Sequence, residues 1–140
     1  MLSSIRLISL LFLFPFAIHA QSIEPLKIPQ IVADMVVDGK LDEPFWQQAA
    51  VTEFLYETNP GENIPASVRT KVYVVDAGTS FRVAFEAFDS DPKKILNPLR
   101  DRDRAFDDDI VGFQLDTFDT MQRAVWMYVS ARGVQMDGTY

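Results

Sequence analysis

The sequence predicts an all-β fold: an antiparallel, jelly-roll-like β-sandwich with one short helix, incomplete at its C-terminal end. Three observations lead there. From Val68 to Val74, Val68, Thr70, Val72 and Val74 alternate with Arg69, Lys71 and Tyr73, the period-two pattern of a strand with one buried face. Turn residues punctuate the chain at short intervals, at Asp38-Gly39, Asn59-Pro60-Gly61, Asp76-Ala77-Gly78-Thr79 and Asp89-Ser90-Asp91-Pro92. Only the stretch from Glu43 to Ala50 reads as a helix of any length. Many short strands with turns between them favour two packed sheets.

Arg6 precedes an apolar run from Leu7 to Phe16, and Ala17-Ile18-His19-Ala20 places a small residue at a cut before Gln21, the pattern of a secretory signal peptide over residues 1–20. The run is shorter than the roughly 20 apolar residues that a membrane-spanning helix needs. The mature domain, residues 21–140, is therefore expected to be secreted, in the periplasm or at the outer membrane. Gln21 to Gln30 is a polar, proline-marked lead-in, and Ile31 to Val37 is an apolar stretch that feeds the Asp38-Gly39 turn. Asp-Gly suits positive φ, Asp42 is placed to cap a helix, and Pro44 loses nothing at its first position, where its missing N–H would be unpaired anyway. That helix is expected to carry Phe45 and Trp46 into the core.

Strands are expected at Val51–Tyr56, Val68–Val74 and Phe81–Phe88, and then a long loop from Lys93 to Asp108 with one helical turn near Pro92 to Ile95. Strands resume at Ile110–Phe118 and Ala124–Val129, linked by Asp119-Thr120-Met121-Gln122. In the last of them Val125, Met127 and Val129 form one face and Ala124, Trp126, Tyr128 and Ser130 the other, so it is expected to be buried on both sides. The residues up to Gly138-Thr139-Tyr140 supply no closing strand, and an open edge is a liability. A part of the protein beyond residue 140 is accordingly expected to complete the sandwich.

The chain holds 13 basic and 20 acidic residues, a formal net charge of −7, and loss of Arg6 with the leader makes the mature domain more acidic still. Nucleic acid is excluded as a partner, and anionic lipid is a poor one. The only histidine, His19, lies in the leader and there is no cysteine, so Ser-His-Asp and Cys-His catalysis, histidine or thiolate zinc sites and disulfides are unavailable to the mature domain. Its stability must come from a core or a bound metal.

The distinctive chemistry lies in Arg100-Asp101-Arg102-Asp103-Arg104-Ala105-Phe106-Asp107-Asp108-Asp109. Asp107, Asp108 and Asp109, with Asp89 and Asp91 from the end of a preceding strand, offer the several oxygen ligands that a structural Ca2+ ion takes on loops. The competing reading is a solvated lattice of salt bridges, and no EF-hand spacing is present. Phe106 is an aromatic that neither strand alternation nor a helix explains. Beside Arg100, Asp101, Arg102 and Asp103 it has the composition of a carbohydrate-binding surface, where a ring stacks on a pyranose and polar groups bond its hydroxyls. The competing reading is a plug over one end of the sandwich. Trp46 and Trp126, in periodic segments, read as core. Acids crowded beside arginines in an exposed loop lack the apolar surroundings that raise a general acid's pKa, so no catalytic residue is assigned.

Taken together, Asp38-Gly39, Leu41-Asp42-Glu43 and Trp46, then Thr70, Val72 and Val74, Phe81, Val83 and Phe85, Asp89 and Pro92, Arg100-Asp101, Asp109-Ile110-Val111, Leu115-Asp116, Arg123 and Gly133-Val134 resemble the family 9 carbohydrate-binding module. The resemblance is to the variant at the start of bacterial envelope proteins that carry a C-terminal domain of uncharacterised function, and it spans most of the mature domain. It implies a two-sheet sandwich, often with bound calcium, that holds sugar chain ends between aromatic rings. Phe106 stands three residues before Asp109, where a member with such a site has tryptophan, whereas Met127 stands where that member offers an arginine, and the second ring would lie beyond Tyr140. The expected function is thus a non-catalytic carbohydrate-binding module of a secreted or envelope protein. The alternatives are a structural domain packed against its own C-terminal or outer-membrane domain without sugar binding, and an accessory domain of a glycoside hydrolase.

Overall fold

The computed structural model describes residues 25–57 and 61–140, so the leader expected over residues 1–20 and the Asn59-Pro60 part of one turn lie outside the described residues. Strands β1 (Ala50–Glu57), β2 (Ile64–Asp76) and β3 (Phe81–Phe88) make one sheet, and β4 (Ile110–Leu115), β5 (Val125–Ser130) and β6 (Gln135–Thr139) make a second. All neighbours are antiparallel and follow chain order, so the architecture is all-β, as the alternation implies. The β2–β3 hairpin closes as its residues dictate: Gly78 has φ +85°, its N–H donates to Asp76 Oδ1 at 2.7 Å, and the Ala77 N–H donates to the Ser80 carbonyl at 2.8 Å.

Register decides which side chains share a face. Val72 lies opposite Thr52 and Phe85, and Val74 opposite Val83, so these residues form the inner face of the first sheet. Val111 opposite Val129 and Phe113 opposite Met127 form that of the second. The two inner faces meet loosely: cavities of about 520, 390 and 260 Å³ lie between the sheets, the first lined by Val83, Phe85, Val111, Phe113, Met127 and Val129. Phe54 and Met127 remain nearly half exposed on these faces.

The tightest core lies on the other side of the first sheet. Phe45, Trp46 and Val75 are buried together there, with Tyr73 and Ala84 packed against them. The N-terminal segment forms the lid. Its Ile31 N–H donates to the Asp76 carbonyl at 2.8 Å and the Asp76 N–H to the Pro29 carbonyl at 3.0 Å, which ties it to the end of β2. The Asp38-Gly39 turn then reverses the chain, with Gly39 at φ +80° and the Lys40 N–H on Asp38 Oδ1 at 3.0 Å.

The expected helix is shorter and tighter than its sequence implies: Pro44–Gln48 is a 3₁₀ helix, Glu43 rather than Asp42 precedes it, and neither caps it with a side chain. Ala50 already belongs to β1, which leaves too few residues for a stable α-helix. The Glu43 carboxylate instead bridges the lid, accepting the Val36 N–H at 3.0 Å and the Trp46 indole N–H at 2.9 Å. The turn at Pro92–Lys94 is also 3₁₀.

Beyond the last strand read from the sequence lies an edge strand, β6, which pairs along β5 from Gln135 opposite Val129 to Thr139 opposite Val125. Its sequence, Gln-Met-Asp-Gly-Thr, has a single large apolar side chain, Met136, so the alternation that marks the other strands is missing, yet Met136 is almost completely buried. Nor is β5 buried on both sides. Trp126 and Tyr128 are half-buried and Met127 is exposed.

Glu43 and Asp116, whose carboxyl pKa values are lowered chiefly by backbone N–H groups, and Glu53, lowered by Arg69, predict the acid limb of stability. The Val36 N–H foremost, with the Trp46 indole, holds the Glu43 carboxyl below its ordinary value, and the N–H groups of Phe118, Met121 and Thr120 do the same for Asp116. A carboxylate with a lowered folded pKa stabilises fully above its unfolded value, and that contribution is lost as pH falls through the folded one. The melting temperature is expected to hold steady above about pH 5 and to fall below about pH 4. Glu43→Gln should flatten that limb in melts across the range, and an unchanged limb would remove Glu43 from it.

Candidate functional site

The outer face of the second sheet carries a row of aromatic rings. Trp126 and Tyr128 alternate with Val125, Met127 and Val129 along β5, so both point away from the first sheet. In register, Tyr128 lies opposite Gly112 on β4 and Trp126 opposite Gly138 on β6. A Cβ at Gly112 would overlap the Tyr128 ring, and one at Gly138 the Trp126 ring. Each ring therefore lies over a neighbouring strand where only glycine leaves room, which spreads the aromatic faces along the sheet. The ring centroids are 5.6 Å apart with a 37° interplanar angle, and the Gln114 amide donates to the Tyr128 hydroxyl at 3.2 Å.

Phe106 completes the row from a loop. Its ring meets Trp126 edge-on at 5.7 Å and remains 51 % exposed. It thus takes something from both readings of its sequence context, covering one edge of Trp126 while keeping half of its own surface in solvent.

The polar candidates around Phe106 mainly fix the loop. Arg100 Nε donates to Asp108 Oδ1 at 2.8 Å, and the Asp108 side chain is wholly buried. Arg102 donates to Gln135 Oε1 at 2.8 Å and to Asp137, with Asp103 Oδ2 at 3.6 Å from its Nε. Asp103, at φ +61°, donates its N–H to the Gln135 carbonyl at 3.1 Å and accepts the Asp137 N–H on its side chain at 3.2 Å, which covers the outer edge of β6. The Asp101 carbonyl accepts the Arg104 N–H at 3.2 Å, while its carboxylate has no hydrogen-bond partner among the described residues. The alternation of arginine and aspartate is thus in good part a lattice of ion pairs, and Ala105, fully buried, is its apolar anchor.

The aspartates considered for calcium are spread over several interactions. Asp89 Oδ1 accepts the Asp91 N–H at 2.7 Å, Asp91 Oδ2 lies 3.4 Å from Lys94 Nζ, and Asp109 Oδ2 accepts the Leu96 N–H at 2.7 Å. Asp107 is exposed, and Asp108 Oδ2 is buried with no hydrogen-bond partner. Among the described residues no group of three or more acidic side chains is gathered as a metal site.

Met127 falls on the inner face, across the sheet from the rings, and borders the largest inter-sheet cavity. Sequence reasoning placed Trp126 in the core and missed Tyr128 as a half-buried ring on the outer face. The signal that finds both is the pairing of a large ring with a cross-strand glycine, which requires the register of β6. Among the described residues, no helix is long and apolar enough to cross a membrane. No protein-family model, curated protein or solved structure matches the chain.

Proposed function

We propose that this domain is a non-catalytic carbohydrate-binding module of a secreted or envelope protein, with Phe106, Trp126 and Tyr128 as the platform on which sugar rings stack. The observation that carries the reading is the row of rings, part-exposed on a sheet face and seated over Gly112 and Gly138. The apolar face of a pyranose packs against such rings, and fixed rings lose little entropy when it does. Gln114 and the Tyr128 hydroxyl lie within the row as hydroxyl partners. Arg102 and Asp103 act through the loop they hold, as Arg100 does through its Nε, and the Asp101 side chain is left to contact sugar.

Phe106→Ala is expected to weaken glycan binding at least tenfold, about 1.4 kcal/mol, in titration of the full chain. Because the ring is half exposed, the same change should alter stability by less than about 1 kcal/mol. Equal affinity of the variant and the parent would remove Phe106 from the site.

Calcium is a separate part of the proposal, supported by the run Asp107 to Asp109 and the unpartnered oxygen of Asp108. An ion bound only to the folded state raises the melting temperature, so a chelator is expected to lower it. Superimposable melts with and without chelator would remove the ion from the account.

A second reading, a structural domain that buries its inner faces against another part of the same protein or an envelope partner, is favoured by the inter-sheet cavities and the exposed Phe54, Phe81 and Met127. It expects the isolated chain to associate or aggregate, whereas a free-standing module is monodisperse on size exclusion.

A further inference from the structure

We propose that a surface depression beside the aromatic row is an oxyanion site, and that the glycan bound by this domain is acidic, presenting a carboxylate or sulfate group to Arg132 and Arg100. The inference rests on the carbohydrate reading and names the class of glycan. The depression, of about 330 Å³, lies between the start of the Phe106 loop and the β5–β6 turn and is lined by Leu99, Arg100, Arg102, Arg132, Val134 and Gln135, with Gly133 at the turn itself. Three arginines converge there on a chain whose formal net charge is −7.

The three are held differently, and the difference decides which of them can bind. Arg102 is spent on Gln135, Asp103 and Asp137, so its charge is neutralised and it serves as a wall. Arg100 uses Nε on the buried Asp108, which offsets much of its charge but leaves both Nη groups without a hydrogen-bond partner among the described residues. Arg132 uses Nε on the Asn97 carbonyl at 2.7 Å and has no carboxylate within ion-pair distance among the described residues. It therefore brings a full positive charge and two free Nη groups to the depression. A guanidinium anchored through Nε presents its Nη pair in the fork that matches a carboxylate or sulfate, and anchoring reduces the entropy lost on binding.

The turn that carries Arg132 is itself braced. The Ser130 side chain, almost fully buried, accepts the Arg132 N–H at 3.3 Å and the Val134 N–H at 3.2 Å, and Gly133 turns the chain at φ +83°. From Gln135, at the depression, β6 runs three residues to Gly138 beneath Trp126, about 10 Å at strand rise. A sugar on the rings and a charged substituent in the depression thus lie along one strand.

The test is titration of the full chain at low salt with three polymers: polygalacturonate for the carboxylate, a sulfated galactan for the sulfate, and an uncharged galactan. We expect one acidic polymer to bind at least tenfold more tightly than the uncharged one, and Arg132→Gln to abolish that preference while leaving uncharged-galactan affinity unchanged. Which acidic polymer is preferred identifies the group. Uncharged binding that Phe106→Ala removes, without any acidic preference, overturns the inference while the carbohydrate reading stands. Acidic binding lost in Arg132→Gln but kept in Phe106→Ala supports the oxyanion site and overturns the ring platform. An acidic preference that persists in Arg132→Gln, or no binding to any of the three, overturns the inference.

Discussion

Trp46→Ala is expected to destabilise the domain by about 4 kcal/mol, the cost of deleting a buried tryptophan and leaving a cavity. The residue is 6 % exposed, its ring lies 4.7 Å from that of Phe45 and 6.4 Å edge-on from that of Tyr73, and its indole N–H is bonded to Glu43. Its loss removes apolar area and releases one of the two hydrogen bonds by which Glu43 joins the 3₁₀ turn to the lid. Urea denaturation followed by circular dichroism measures the loss. Trp46→Phe, which keeps most of the ring area and removes the N–H, is expected to cost about 1–2 kcal/mol, mainly through the hydrogen bond. A loss below about 1 kcal/mol for the alanine variant would mean that the lid is not where the fold is held.

Arg100→Ala is expected to cost about 3 kcal/mol. The reason is the residue left behind, because the Asp108 side chain is wholly buried and Arg100 is its only hydrogen-bond partner among the described residues. Removing one member of such a pair strands a charge, whereas removing both often costs little. Arg100→Ala with Asp108→Ala should therefore recover most of the loss, and the double-mutant cycle reads the coupling directly. The same loop carries Phe106, so the single variant should also weaken glycan binding, with partial recovery in the double. A single variant as stable as the parent would show that the pair does not organise the loop.

Much of the fold is legible because the first sheet obeys simple rules. Alternation marks Val72 and Val74 as one buried face; the second buried face, with Tyr73 and Val75, is not marked in the sequence, because it is the lid that covers it. Gly39 and Gly78 announce their turns because positive φ is cheap only for glycine. The 3₁₀ helix was readable as a helical turn but not by type, since the competition between a short helix and the start of β1 is settled by tertiary packing. Strand β6 was not legible: Gln135, Asp137 and Gly138 are poor strand formers, and the strand exists because β5 and the Asp103 loop supply partners on both of its edges.

The candidate site divides in the same way. Phe106 stands out in sequence because charge surrounds it, and its ring is exposed. Trp126 and Tyr128 read as core because alternation places them on a strand face without saying whether anything covers that face. They are half-buried, seated over Gly112 and Gly138 in the neighbouring strands, a relation between residues far apart in the chain. Arg132 carries no local motif at all. It is brought beside Arg100 by the β5–β6 turn.

The central claim, that the rings on the second sheet bind sugar, is tested most directly by glycan-array binding of the full chain beside Phe106→Ala, each first shown to be folded and monodisperse. The account predicts retention of a defined set of glycans by the parent and its loss in the variant. A blank array from the folded parent, or the same glycans retained equally by both, would contradict it.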